Sequence, residues 1–498
     1  MGTEAREPGA ETRHHHLRRA VRRRRNPPLR RSDITVTEQG LVRRAVKAAA
    51  LGNAMEWFDF GIYAYLAVTL GKVFFPGGSD TAQLLSSFAA FAVAFLVRPL
   101  GGFFFGPLGD RVGRKKVLAL TMVLMALGTF CIGLIPSYAA IGLWAPVLLL
   151  VFRLVQGFST GGEYGGASTF IAEYAPDRKR GYYGSYLEFG TLGGYIAAAG
   201  LVTVLELLLS DAEMTSWGWR IPFLVAGPLG LVGVYLRVRL EETPAFRKAA
   251  DRQGTAAEDG GPRPAGSTPR GEVKRIFAEQ WRMLLLGIGL VAAYNITNYA
   301  LLTYMPTYLT DEMGYDESHG LLVLLGTMAV MMAVISRVGH LNDRFGRKPL
   351  LMAGMLGFLF LSLPAFLLVK QGSMAAVIGG MLMLGLSLVC LLGTMSASLP
   401  ALFPTPVRYG ALAISYNLSV SLFGGTTPLI VTALIDRTGN DLMPAYYTMA
   451  AALVGVVAVS LMKETARRPL KGSPPSVATH EEARRLAAEQ YEGQRSRH

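Results

Sequence analysis

Long uncharged apolar runs constrain this chain more than any other feature of its sequence. Val117–Pro136 and Leu350–Val369 each run for 20 residues without Asp, Glu, Lys or Arg. A helix of that length crosses the roughly 30 Å hydrocarbon core of a bilayer. Only 17% of the 498 residues are charged, and they stand in clumps between such runs. The sequence therefore predicts an all-α membrane protein rather than a soluble multidomain protein.

Twelve apolar segments and one long polar stretch set the predicted domain organisation. The predicted transmembrane helices are 47–70, 82–106, 117–136, 143–170, 182–208, 219–240, 281–308, 320–340, 349–369, 374–400, 410–434 and 443–463. They form two pseudo-symmetric six-helix bundles, 45–240 and 281–463, joined by a linker at 241–280 that is rich in Gly, Pro and charge. A basic tail (1–44) precedes them, and a C-terminal tail (464–498) with a short helix at His480–Tyr491 follows.

Basic residues indicate which side of the membrane is cytoplasmic. Residues 1–31 hold ten Arg and three Glu, so this tail alone supplies +7 of the formal net charge of +14. Most other basic residues stand in loops that twelve spans place on the same side, as the positive-inside rule expects. The pattern predicts two cytoplasmic termini, contact of the basic tail with anionic membrane lipids, and no nucleic-acid partner.

One loop sequence occurs twice, 233 residues apart. Gly106–Lys115 follows the second predicted span, and Gly339–Lys348 follows the eighth with the same pattern of Gly, Asp and basic residues. A repeat at matching positions indicates two parallel halves around a central site, and an acid near the start of the next helix is favoured by the helix dipole. The shared residues, which we predict to form gating loops, are Gly106, Asp110, Arg111, Gly113, Arg114, Gly339, Asp343, Arg344, Gly346 and Arg347.

The repeated pattern, Gly-x-x-x-Asp-Arg-x-Gly-Arg-Lys, resembles the signature of the major facilitator superfamily. The resemblance implies that the two loops help to latch the halves together on the cytoplasmic side. Arg153-Leu-Val-Gln156-Gly157 in the fourth span is similar to the second motif of the superfamily, which is associated with proton coupling.

Further segments resemble the metabolite:proton symporter family. They include Gly52–Gly61, Gly161–Gly166, Ala172–Gly181 and Trp217–Pro222, and Leu301–Pro306 is similar to members that import proline and glycine betaine. The resemblance implies a multi-pass protein of the bacterial inner membrane that imports small zwitterionic compatible solutes with protons and uses the proton gradient in place of a cofactor. Two alternatives stay open: a proton symporter for an organic acid such as 2-oxoglutarate, citrate or shikimate, and a transporter-like sensor that binds a solute without moving it.

Ionisable residues at bilayer depth are concentrated in the N-terminal half. Such groups cost several kcal/mol unless they are paired or hydrated, so they are candidates for function. We predict that proton coupling uses Asp59, Glu56, Arg153, Glu163 and Glu188. The structural alternative is a salt-bridge network in which Glu56 or Asp59 neutralises Arg98 or Arg153.

Substrate chemistry suggests a second set of residues. On a helical wheel, Asn53, Glu56, Asp59, Phe60 and Tyr63 share one face of the first span, which we expect to face the central cavity. A zwitterion needs a cation for its carboxylate, for which Arg153 is a candidate, and aromatic faces suit a quaternary ammonium. The predicted substrate-binding residues are Trp57, Tyr63, Arg153, Tyr164, Asn295, Asn298, Tyr299 and Tyr304. For each aromatic residue the alternative is core packing or lipid contact. No nucleotide-binding loop, nucleophile triad or metal-ligand cluster is recognisable, so the sequence predicts neither an enzyme nor a metal site.

Overall fold

The computed structural model of the chain describes residues 31, 34–112, 114–161, 163–239, 269–405 and 407–495. Twelve helical spans follow one another through these residues. Spans 1–6 are Gln39–Tyr65 with Ala67–Phe74, Asp80–Val112, Arg114–Leu134, Trp144–Ser159 with Glu163–Tyr174, Arg180–Leu208 and Arg220–Arg239. Spans 7–12 are Pro269–Tyr299 with its continuation to Glu312, Glu317–Phe345, Arg347–Val369, Met374–Leu402, Arg408–Ser419 with its continuation to Thr438, and Met443–Leu461.

Length and hydropathy agree with a membrane location for these helices. Within the described residues, nine helices are long and apolar enough to cross a bilayer. Spans 3 and 6 contain shorter apolar stretches, Ala119–Leu134 and Arg220–Gly233, and span 1 is interrupted at Leu66. Short helices at Tyr138–Ile141, Asp177–Lys179, Asp211–Glu213 and Met214–Gly218 join successive spans. The predicted all-α architecture of twelve spans is confirmed.

Two glycines bring span 5 against span 1. A Cβ on Gly190 would lie 2.1 Å from the carbonyl oxygen of Ala50, and one on Gly194 would lie 2.2 Å from that of Ala54. Only glycine permits such an approach of two helix backbones. This contact fixes the middle of span 5, including Glu188, beside the middle of span 1.

Spans 7 and 11 depart from regular α-helical geometry. They contain π-helical turns at Ala300–Tyr304, Tyr308–Glu312 and Val420–Gly424, and single π turns are frequent at functional sites. The turn in span 11 is followed by Gly425, where a Cβ would lie 2.2 Å from the ring of Phe95. Span 11 of the C-terminal half therefore packs directly on an aromatic side chain of the N-terminal half.

The segments just before span 1 and after span 12 meet on one face of the molecule. Strand β1, Thr35–Val36, pairs in parallel with strand β2, Ser476–Val477. The C-terminal helix His480–Arg495 packs Ala483 against Ile34 and Val477. The sequence predicted this helix at His480–Tyr491 but not the strands, because a two-residue strand is too short to show an alternating pattern.

Several predicted features lie partly outside the described residues. These are the basic tail up to residue 30, most of the linker (240–268) and Gly113. Span 7 begins at Pro269, inside the range 241–280 that the sequence assigned to the linker. The apolar part of this helix begins at Gln280, one residue before the predicted span 281–308, and its polar extension back to Pro269 carries no hydropathy signal.

Candidate functional site

An aromatic cluster lies near the middle of the molecule, where the two halves meet. The ring of Trp57 in span 1 lies 5.2 Å from Tyr195 in span 5 and 5.8 Å from Tyr299 in span 7. Phe95 in span 2 lies 5.5 Å from Tyr299 and 4.6 Å from Phe60. All five side chains are buried. The cluster therefore joins three spans of the N-terminal half to one span of the C-terminal half.

A buried ion pair stands beside this cluster. Arg98 of span 2 pairs through Nη2 with Glu56 of span 1, and its Nε donates to Thr160 Oγ1 at 2.8 Å. Its Nη1 has no hydrogen-bond partner among the described residues. The guanidinium carbon lies 5.1 Å from the ring centres of both Phe60 and Phe95. The salt-bridge alternative holds for Glu56 and Arg98, yet one donor nitrogen of this buried cation remains available to an anion.

Other buried polar atoms near the cluster also lack partners among the described residues. They are Trp57 Nε1, Tyr299 Oη, both amide atoms of Asn295 and Oδ1 of Asn298. The last three residues lie on one face of span 7 because they are three and four positions apart. Buried polar groups are nearly always hydrogen-bonded. A group of unpaired donors and acceptors at the interface of the halves is what a site for a polar ligand requires.

Arg153 lies in a different environment from the one that the sequence suggested. Its Nε and Nη2 donate to the carbonyl oxygens of Ala90 (3.4 Å) and Phe91 (3.1 Å), and Nη1 donates to Gln156. Its guanidinium carbon lies 4.2 Å from the ring centre of Tyr63. Each nitrogen of Arg153 therefore has a protein acceptor, and Arg98 is better placed than Arg153 to receive a substrate carboxylate.

Asp59 turns away from the interface of the halves. Its Oδ2 accepts from Thr129 of span 3 at 3.0 Å, and Thr129 in turn accepts from Gln156 at 2.9 Å. Asp59 also lines a small gap with Met122 and Gly230 of spans 3 and 6. The expectation that it shares a cavity-facing side with Glu56 was wrong, because a sector of about 120° on a helix is wide enough to meet two different neighbours.

Glu188 of span 5 is surrounded by hydroxyl groups. Tyr164 donates to Oε1 at 2.6 Å, and Thr191 and Tyr294 donate to Oε2 at 3.0 and 3.4 Å. The ring of Tyr164 stacks on that of Tyr416 of span 11, with centres 4.0 Å apart. Glu188 therefore lies among spans 4, 5, 7 and 11.

The remaining predicted residues have other surroundings. Glu163 accepts from Thr121 at 3.2 Å, and Tyr63 donates to the carbonyl oxygen of Ser87 at 3.1 Å, so these bonds stay within the N-terminal half. Tyr304 is buried, with its ring 6.1 Å from Phe88 of span 2. It lies farther along span 7 than the central cluster.

The second copy of the repeated loop contacts the N-terminal half. Asp343 accepts from the backbone N–H groups of Gly181 (2.7 Å) and Tyr182 (2.8 Å) at the start of span 5, where the helix dipole favours a negative charge. Gly346 has φ +109°, which favours glycine, and Arg347 begins span 9. In the first copy, Gly106, Asp110 and Arg111 lie in span 2 and Arg114 begins span 3. The gating role of both loops stays a prediction.

Contacts on the opposite side also join the halves. The hydroxyl of Tyr65 donates to the carbonyl oxygen of Leu302 at 2.9 Å, and the hydroxyls of Tyr195 and Thr303 are 3.2 Å apart. On the loop side, Ser396 of span 10 donates to the carbonyl oxygen of Gly184 at 2.7 Å. Hydrogen bonds between the described residues therefore join the two halves both near the repeated loop and along span 7.

A family model described as sugar (and other) transporter matches residues 45–475. The proline/betaine transporter of Escherichia coli strain K12 is 48% identical over 465 residues, which is 93% of this chain and 92% of the relative. The chain belongs to this family of the major facilitator superfamily. The glycine betaine/proline/ectoine/pipecolic acid transporter OusA of Dickeya dadantii is 48% identical over 472 residues, 95% of this chain and 93% of that protein.

Solved structures agree with the fold. The proton:xylose symporter XylE bound to 6-bromo-6-deoxy-D-glucose superposes with a TM-score of 0.68 at 18% identity, covering 87% of this chain and 98% of that one. The partially occluded inward-open form of XylE from E. coli gives a TM-score of 0.67 at 19% identity, covering 86% and 99%. The major facilitator resemblance and the two-bundle fold that the sequence predicted are confirmed.

Sequence reasoning missed several members of the site. The missed residues are aromatic side chains in apolar spans: Phe95, Tyr195, Tyr294 and Tyr416. Residue type alone does not distinguish an aromatic residue at the interface of the two halves from one that contacts lipid. A weak signal did exist for one of them. Tyr195 follows Glu188 by seven residues, or two helical turns, and so shares the face of a buried acid.

Proposed function

We propose that this chain is a proton-coupled symporter that imports zwitterionic compatible solutes, such as glycine betaine and proline, by alternating access. The observation that carries the proposal is the unpaired Nη1 of the buried Arg98 beside the aromatic cluster. A cation with a spare donor suits a carboxylate, and aromatic faces suit a quaternary ammonium that cannot donate hydrogen bonds. Relatives that are 48% identical are named as transporters of proline and betaine.

The unpaired atoms suggest how a solute is held. Its carboxylate accepts from Arg98 Nη1 and from the hydroxyl of Tyr299, while its ammonium lies against Trp57 and Phe95. The amides of Asn295 and Asn298 complete the polar side from the C-terminal half. Because the site takes groups from both halves, either half can retain the solute while the other side of the interface opens.

Orientation and partners belong to the same proposal. We place both termini in the cytoplasm of a bacterium because the sequence concentrates its basic residues in the N-terminal tail and in the loops on the same side of the spans as that tail. The partners of this protein are then protons, a small zwitterion and the lipids of the inner membrane, including anionic lipids near the basic tail. Its chemistry is movement of solute without bond cleavage, so we propose a transporter and not an enzyme.

Charge movement provides the test. A zwitterion has no net charge, so import with one proton carries one positive charge inward. An inside-negative potential of about 100 mV contributes about 2.3 kcal/mol per charge, which supports roughly 50-fold accumulation. In proteoliposomes of the purified chain, we expect a potassium diffusion potential to drive accumulation of labelled glycine betaine. A protonophore, which dissipates the proton-motive force, should lower the amount of betaine that accumulates.

The alternatives predict different results in the same vesicles. A dicarboxylate that enters with one proton keeps a net negative charge, so the same potential would oppose its uptake. Saturable uptake of 2-oxoglutarate or citrate without competition by betaine would contradict the proposal. Betaine binding without accumulation or counterflow would favour a solute sensor instead.

A further inference from the structure

Glu188 is a buried acid that receives hydrogen bonds from both halves of the protein. Tyr164 and Thr191, which donate at 2.6 and 3.0 Å, belong to spans 4 and 5 of the N-terminal half. Tyr294, which donates at 3.4 Å, belongs to span 7 of the C-terminal half. Only about 1% of Glu188 is exposed. A change in its charge is therefore felt directly across the interface that opens and closes.

The groups that face Glu188 are neutral. They are Tyr164 of span 4, Thr191 and Tyr195 of span 5, Tyr294 of span 7 and Tyr416 of span 11. In the part of the chain that the structure describes, no Lys, Arg or His forms an ion pair with its carboxylate. Asn53 of span 1 donates to Thr191 at 2.6 Å and so supports one of the donors. Because only hydroxyl donors stabilise the ionised carboxylate, burial of its charge is costly, and uptake of a proton removes that cost.

We propose that Glu188 carries the transported proton and that Tyr294 transmits its protonation state to the C-terminal half. The proposal rests on the proton-coupled import proposed above. A proton from the outer solution adds to a carboxylate oxygen of Glu188 and later leaves to the cytoplasm. The ionised carboxylate only accepts hydrogen bonds, whereas the protonated group must donate one. When the proton adds to Oε2, which accepts from both Thr191 and Tyr294, one of these two bonds is lost, and the longer bond from Tyr294 is the weaker.

Asp59 is less suited to this role. Its contacts run through Thr129 and Gln156 to Arg153, and all four residues belong to the N-terminal half. The small gap beside Asp59 is lined by residues of spans 1, 3 and 6. The proton state of Asp59 can alter this network without touching a residue of the C-terminal half.

Glu188→Gln tests the proposal in proteoliposomes that contain the full chain. Counterflow exchange needs no net proton movement, whereas accumulation does. We expect the ratio of gradient-driven accumulation to counterflow to fall about tenfold relative to the parent chain. Glu206→Gln makes the same change about five helical turns nearer the end of span 5 and should leave this ratio unchanged.

A second variant guards against a folding defect. Tyr294→Phe removes one hydroxyl and keeps the ring, and we expect it to lower the same ratio about threefold. Equal loss of accumulation and counterflow in both variants, or an unchanged ratio in Glu188→Gln, would overturn the role of Glu188. A parent chain without betaine counterflow would contradict the proposed function itself, so the two failures are distinguishable.

A second observation concerns the segment 463–478, called here the C-terminal strap, which follows span 12. Glu464 accepts from the backbone N–H groups of Arg347 (3.1 Å) and Lys348 (3.0 Å). Although burial raises the pKa of Glu464, these and neighbouring backbone donors hold it below its usual value. Arg467 has φ +56° and donates to the carbonyl oxygen of Asp343 at 2.7 Å. The first part of the strap is thus fixed to the C-terminal half.

The rest of the strap crosses to the N-terminal half. Arg180 donates from Nη1 to the carbonyl oxygen of Arg468 at 3.1 Å, and the N–H of Ser476 donates to Asp177 Oδ2 at 3.1 Å. Strand β2 of the strap pairs with β1 just before span 1. Leu470 packs with Ala172 of span 4 and Ala401 of span 10. The strap therefore bonds to both halves on the same side of the molecule.

We infer that the C-terminal strap is a latch that holds the cytoplasmic side of the transporter shut. Opening that side moves span 4 and the start of span 5 away from span 10. Because the strap contacts all three, one set of its bonds must break before the halves separate. The latch therefore adds to the free energy of cytoplasmic opening.

Cysteine labelling tests the latch without a transport assay. Cys131 and Cys390 are replaced by Ser, and Ala397→Cys is added at a buried position of span 10 beside Gly184. Inside-out vesicles are treated with a membrane-impermeant maleimide. We expect a chain that ends at Ser473 to be labelled about 5 to 30 times faster, because it lacks β2 and the Ser476–Asp177 bond.

Point variants make the test specific. Leu470→Ala should raise the labelling rate by a smaller factor than truncation does. Leu461→Ala makes the same change at a side chain of span 12 that is 70% exposed, so its rate should equal that of the parent. Unchanged labelling in both the truncated chain and Leu470→Ala would overturn the latch.

Discussion

A chain that carries both Glu56→Gln and Arg98→Gln is expected to bind glycine betaine and proline about 100-fold more weakly than the parent chain. The double change removes the guanidinium whose Nη1 is unpaired, and loss of one member of a buried charge pair typically costs 2–5 kcal/mol of binding. The single change Arg98→Gln is less informative. It leaves Glu56 buried without its partner, which alone destabilises a protein by about 3–5 kcal/mol.

The double variant separates an anchoring role of Arg98 from a purely structural one. The measurement is the half-saturation concentration of counterflow, with the melting temperature as a check on folding. Lys370→Gln with Asp441→Asn is the control, since that ion pair, at 2.8 Å, also joins charged side chains but lies within the C-terminal half, between the end of span 9 and the start of span 12. Normal affinity in the Glu56 and Arg98 double variant would show that these two side chains only neutralise each other and that neither anchors the solute, which is the salt-bridge alternative.

The architecture was accessible from the sequence because its signals are one-dimensional. A run such as Leu350–Val369 has the length of a bilayer crossing and no charge. The repeat of Gly106–Lys115 at Gly339–Lys348 can be recognised without knowing which residues are neighbours in space. The buried acids and the aromatic residue types were also visible, because a charge inside an apolar span is conspicuous.

The assignment of partners was not accessible in the same way. Arg98 and Arg153 are both lone arginines in apolar spans, and only the folded helices show that carbonyl oxygens and Gln156 occupy each nitrogen of Arg153. The helical wheel placed Asp59 and Glu56 on one side, yet they meet span 3 and span 2 respectively. A wheel gives the direction of a side chain on its own helix, and the neighbour in that direction is decided by tertiary packing.

Long-range contacts of the tail were invisible for a further reason. Asp177 and Ser476 are 299 positions apart, and neither stands in a recognisable motif for such a contact. The strand pair of the termini has two residues on each side, so no periodicity marks it. These contacts arise because the helix bundles bring the segments that flank spans 1 and 12 to one face.

Trp57→Leu is expected to lower the affinity for glycine betaine about 30-fold and that for proline by only a few fold. A quaternary ammonium held against desolvated aromatic faces gains about 2 kcal/mol from the cation–π interaction. The secondary ammonium of proline keeps N–H groups that can donate to the amide oxygens of Asn295 and Asn298, which lack partners among the described residues. Proline therefore depends less on the indole ring, and the ratio of the two affinities reports the aromatic contact.

The ratio also cancels general effects of a smaller side chain, since a cavity weakens both solutes alike. Trp57→Phe keeps an aromatic face and should restore most of the preference for betaine. Trp219→Leu is the matched control, because Trp219 is likewise buried with an unpaired Nε1 but packs against Phe74 and Phe223. Competition for counterflow gives both affinities in one preparation. If Trp57→Leu weakened betaine and proline equally, the indole ring would be a packing residue, and the ammonium would have to lie against Phe95 and Tyr299 alone.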